Sequence, residues 1–117
     1  MNRLWLACVV SVAVLLIVFV PWVFAATISM SFNGGDPTFT CDPAAHTGSA
    51  QLGTYEIPFH SAMGSANGNQ TYHFENFHTG MSASFQKFVG IDQPPRWVLY
   101  YKACESCPTE IIPLSVD

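Results

Sequence analysis

Basic residues are nearly missing from this 117-residue chain: Lys and Arg together number four against eight Asp and Glu, and charged residues of either sign make up only 10%. Arg3 takes one of the four, so residues 26–117 hold only Lys87, Arg96 and Lys102 against all eight acids. So few cations exclude strong electrostatic binding to nucleic acid, which needs many phosphates neutralised. An anionic membrane surface is disfavoured for the same reason. Also missing are a twelve-residue window with a helical stripe, an internal repeat, a complete catalytic triad, a phosphate-binding glycine loop and a metal-ligand box, so no cofactor or metal is implied. The low charge does not mean disorder, because half of the chain is hydrophobic and 14% is aromatic.

What is present begins with an apolar leader. Arg3 is the only charge before Asp36, Leu4 to Val20 is broken only by Ser11, and Pro21 ends the run. Val23-Phe24-Ala25 follows with small residues at the two positions that signal peptidase selects. A basic start, an apolar middle and a small-residue end define a secretory signal over residues 1–25. The alternative is an uncleaved anchor over residues 4–26, long enough to span a bilayer. Both place the rest of the chain outside, because Arg3 holds the N-terminus on the cytoplasmic side. Residues 26–117 are then one secreted domain with a modest core that calls for covalent help.

Three cysteines remain beyond the leader: Cys41, Cys104 and Cys107. An oxidising compartment favours pairing, and an odd count leaves one thiol over. The expected bridge joins Cys41 to Cys104 or Cys107, tying the domain's start to its end for ~4 kcal/mol in the chain-entropy account. The spare thiol is buried and inert, links two chains into a homodimer or surface polymer, or belongs to a metal or redox site. Cys104-Glu105-Ser106-Cys107 has redox-dithiol spacing, but Pro108 denies it the helix that favours a thiolate.

Alternation dominates the pattern after the leader. Ile28-Met30-Phe32, Tyr55-Ile57-Phe59 and Tyr72-Phe74 alternate with polar residues, and Asn33 to Pro37 is a strong turn into Thr38–Cys41. Ala83–Val89, Trp97–Ala103 and Ile112–Val116 complete about seven short strands. Pro58 implies an edge strand, Ala44–Leu52 could hold one turn of helix, and His60–Asn69 reads as a flexible loop. The fold class is all-β: a small, disulfide-stabilised, single-domain sandwich or partly open barrel.

Several groups invite chemical readings. Asn69-Gln70-Thr71 is a glycosylation sequon. His73, Glu75, His78 and Arg96 offer the base, acid and charge clamp of phosphodiester cleavage. His73 and Glu75 lie two apart and therefore share a strand face, where a solvated polar surface also accounts for them. Trp97, Tyr100 and Tyr101 on one strand are candidates for a binding surface, since Trp and Tyr are favoured at interfaces.

Two partial resemblances follow from these residues. His73-Phe74-Glu75 with Cys104-x-x-Cys107 is similar in spacing to the zinc deaminase signature. Ala103 replaces the proline before the first cysteine, and helices are denied at both half-motifs. Phe39-Thr40-Cys41, Tyr72-His73 and Pro95-Arg96-Trp97-Val98 resemble the small exported guanyl-specific ribonucleases of the fungal type and their inactive effector relatives. That resemblance implies His73 as the first catalytic histidine and Arg96 as the phosphate clamp. Lys87 stands near the place of the family's catalytic glutamate and no histidine follows Arg96, so it implies an inactive scaffold. With no complete chemistry present, the expected function is binding of an extracellular protein or glycan. A ribonuclease-like hydrolase centred on His73, or its inactive relative, is the second reading, and a structural component cross-linked through the spare cysteine is the third.

Overall fold

The computed structural model describes residues 27–117; the leader and Cys8 lie outside them. Eight strands follow one another: β1 Ile28–Ser31, β2 Thr38–Asp42, β3 Thr47–Leu52, β4 Tyr55–Gly64, β5 Gln70–Asn76, β6 Met81–Phe88, β7 Arg96–Lys102 and β8 Glu110–Leu114. Each pairs antiparallel with the next in chain order, making one sheet curled into a half-barrel. Among the expected architectures, the partly open barrel is the one formed, with a single sheet in place of a two-sheet sandwich.

Alternation drives the curl. Phe39 and Cys41 on β2, Ala50 on β3, Ile57 on β4, Tyr72 and Phe74 on β5, Ala83 and Phe85 on β6, and Trp97 and Leu99 on β7 all face inward and are buried. Phe32, just after β1, joins them. The small interior is filled by rings: Phe39 lies 4.8 Å from Phe85, 5.1 Å from Tyr72 and 5.4 Å from Phe74 between centroids. Such offset and tilted contacts add to the area they bury.

The curl's two edges meet in a short clasp. Phe32 bridges Val116, and the Asp117 N–H donates to the Ser31 carbonyl at 3.1 Å. Asn33 pairs twice with Ser115: its N–H donates to the Ser115 carbonyl and its side-chain oxygen accepts the Ser115 N–H, both at 2.8 Å. The Asp117 carboxylate accepts the Ser31 hydroxyl at 2.6 Å and the Gly34 N–H at 2.8 Å.

Three expectations about the strands change. Residues 47–52 are strand β3, not a helical turn, because β2 and β4 supply ladder partners on both sides. Gly48 is obligatory there: its φ is +128°, and a Cβ would overlap the Thr40 carbonyl and the Cys41 Cα. His60–Gly64 continues β4 rather than opening a loop, since β5 pairs with it. Pro58 lies in an interior strand. It occupies the last β4 position paired with β3, just before the β5 ladder begins at Phe59, where a missing N–H breaks little.

Among the described residues the disulfide joins Cys104 to Cys107, and the free cysteine is Cys41. The expected long-range bridge fails because Cys41 faces the core from β2, whereas Cys104 and Cys107 sit in the β7–β8 loop. The bridge formed closes a tight loop, worth only about 2 kcal/mol on chain-entropy grounds. Stability therefore rests on the aromatic core.

Truncating Phe39 to Ala should cost about 3–5 kcal/mol, read as a lowered urea midpoint. The Ser31 hydroxyl and the Gly34 N–H hold the Asp117 carboxyl below its ordinary value of 3.8. A depressed carboxyl stabilises the fold above its unfolded pKa and loses that effect as pH falls through the folded value. Acidification below pH ~4 should therefore lower the melting temperature less in Asp117→Asn than in the parent.

Candidate functional site

His73 and Glu75 lie on the outer face of β5, opposite in direction to the buried Tyr72 and Phe74. The two are 3.0 Å apart, Nε2 to Oε1, and each is 29% exposed. A β-bulge brings a third group to them. Phe59 pairs with Phe74 and Ser61 with His73, so His60 is the extra residue of β4. A bulge re-aims a side chain that strict pairing would send elsewhere. Here the His60 ring stands edge-on to His73 at 5.7 Å and against Phe77 at 5.2 Å. Phe77 is 70% exposed.

Beside this row lies a polar hollow of about 200 Å³. Glu75, Phe77, Gly80, Ser82, Lys102 and Glu105 line it. The register explains the grouping: Glu75 pairs with Ser82, and Ser82 with Lys102. The disulfide loop supplies Glu105 and packs on the β5–β6 turn at Gly80, where φ is +75° and a Cβ would come within 2.5 Å of the Glu105 nitrogen. Lys102, not Arg96, is thus the cation near Glu75. Chemically, the hollow offers two carboxylates, an ammonium and a hydroxyl beside an exposed ring.

Arg96 is not part of the group. It begins β7 opposite Phe88, whereas His73 aligns through Ser84 with Tyr100. Four residues of strand and two strand spacings separate them, ~13 Å along and ~9.6 Å across. The expected His73–Glu75–Arg96 constellation therefore keeps only its first two members. Arg96 is exposed and makes no ion pair among the described residues. His78 stands in the exposed β5–β6 turn, its N–H held by the Asn76 side chain.

The proposed aromatic surface also divides. Trp97, only 7% exposed, faces inward, and Tyr101 packs against the core. The two-residue period sends only Tyr100 outward. Phe77, for which the sequence pattern carries no signal, is the exposed ring of this face. Asn69 donates no part of this face: its side-chain oxygen accepts the Val89 N–H at 2.8 Å, so the sequon's carboxamide fastens the β4–β5 hairpin to the end of β6.

Among the described residues no group of three His, Cys, Asp or Glu is placed to hold a metal ion. The two cysteines of the deaminase-like spacing are bonded to each other. Comparison with family models, with curated proteins and with solved structures finds no match for this chain.

Burial, then the neighbouring Asp42, pushes the Cys41 thiol from 9.0 up to about 11. A raised thiol pKa leaves stability unchanged below pH ~9 and erodes it as pH climbs towards ~11, because the unfolded chain ionises first. Cys41→Ala should lack that share of the alkaline loss in melting temperature. In the native protein at pH 8, Cys41 should resist iodoacetamide until urea is added, read by mass.

Proposed function

We propose that this protein is an exported binding module that recognises an extracellular glycan through the outer face of β4 to β7. The observation that carries the reading is the exposed Phe77 ring, braced by His60, beside the hollow of Glu75, Ser82, Lys102 and Glu105. A sugar presents an apolar face of C–H groups and a rim of hydroxyls. An exposed aromatic ring suits the first; carboxylate acceptors and an ammonium donor suit the second. The mixed charge of the hollow and the scarcity of basic residues favour a neutral ligand over a polyanion. The leader over residues 1–25 and the Cys104–Cys107 disulfide support export into an oxidising compartment.

The other readings lose support from the same geometry. A hydrolase centred on His73 would work with Glu75 but without Arg96. Cross-linking through the spare cysteine would require Cys41, 1% exposed, to leave the core.

A glycan array probed with the purified protein, followed by titration of each hit, tests the proposal. Phe77→Ala and Glu75→Gln should each weaken a true hit at least ten-fold (about 1.4 kcal/mol) at unchanged melting temperature. Reduction of the disulfide should weaken it less, by loosening Glu105. Hits indifferent to Phe77→Ala, or no hits, would sink the glycan reading. RNA cleavage lost in His73→Ala would replace it with the hydrolase.

A further inference from the structure

The inner face of the curl carries a second feature, unrelated to the outer hollow. Where β5 and β7 begin and β6 ends, Gln70 pairs with Lys87, Lys87 with Trp97, and Trp97 with Leu114. These four form one row across four strands. The two-residue period places Lys87 on the same face as Ala83 and Phe85, both wholly buried. A lysine thus occupies a core-facing position in the last layer of the barrel.

That row borders a cleft of about 330 Å³, the low end of the range for small-molecule pockets. Met30, Val116, Tyr72 and Trp97 are among its lining residues. Among the described residues the lining is apolar apart from Gln70, Lys87 and the Tyr72 hydroxyl, and it includes no carboxylate. Lys87 makes no ion pair among the described residues. Gln70 accepts the Tyr72 hydroxyl at 3.3 Å through its side-chain oxygen, which leaves its amide N–H groups as donors.

An apolar cleft with one uncompensated cation at its rim is complementary to a molecule with an apolar body and one negative end. We propose that this cleft binds a small amphipathic carboxylate, with an aliphatic chain against Trp97, Tyr72 and Met30 and its carboxylate on Lys87, assisted by Gln70. At a liquid-like ~30 Å³ per heavy-atom group, the volume admits about ten such groups, a medium-length chain. Removing that chain from water supplies the affinity. The charge supplies the selection, because a neutral or cationic head would leave Lys87 without a partner.

Decanoate, decanol and decyltrimethylammonium, each titrated into the purified protein by calorimetry with a parallel melting scan, test the assignment. Decanoate should bind saturably at one site, with Kd below about 100 µM, and raise the melting temperature. Decanol should bind at least ten-fold more weakly, and the cation weaker still. Lys87→Met should cost decanoate at least ten-fold and leave decanol unchanged. Val116→Glu, at a position already 52% exposed, should repel decanoate without unfolding the chain. Phe77→Ala, on the outer face, should leave decanoate binding intact, which separates this site from the glycan reading. The proposal fails if decanoate does not saturate, if the cation binds as tightly, or if Lys87→Met changes nothing. It fails equally if a second copy of the chain, seen as a concentration-dependent dimer in sedimentation, covers Trp97 and excludes decanoate.

Discussion

Packing of aromatic rings around Phe39 is the interaction on which the structure turns. Its ring meets those of Phe32, Tyr72, Phe74, Phe85 and Trp97, which come from residues next to β1 and from β5, β6 and β7. β2 is far from those strands in the order of the sheet, so the contacts exist only if the sheet curls over on itself. A chain this small has little other surface to bury, and the disulfide spans only one loop. The rings therefore set the curvature, and curvature in turn brings Phe32 within reach of Val116 to form the clasp.

Both proposed binding surfaces are consequences of that geometry. On the convex side, the change of partner along β4, from β3 to β5, is accommodated by the bulge at His60, which brings an extra imidazole beside His73 and Phe77. On the concave side, the aromatic filling ends at the row of Gln70, Lys87 and Trp97, and the clasp closes only one short stretch of the seam. The space between becomes a cleft instead of core. The convex hollow is polar, with an aromatic edge. The concave one is apolar with a single cation. The sheet lies between them.

The Cys104–Cys107 loop acts locally. It holds Glu105 against Gly80 and so shapes the hollow, whereas Cys41 fills core volume as a small apolar group. Count and compartment do not choose the pair: a long-range bridge would stabilise more once formed, but geometry permits only pairs whose Cα atoms approach. Those of Cys104 and Cys107 are 5.0 Å apart.

The sequence by itself determined the all-β class, the turn at Asn33–Pro37, the inward set of β5 and the shared face of His73 and Glu75. All follow from a period of two residues, which is a local property of an extended chain. It did not reveal β3, whose Gly, Ser, Ala and Gln have little intrinsic preference for a strand and owe it to ladders on both sides. Nor could it exclude Arg96 from the site, bring in Lys102 and Phe77, or turn Trp97 inward. Those outcomes depend on cross-strand register and on the bulge at His60. Register is decided by which rings can meet in the interior, a many-body packing choice that no single stretch of sequence contains.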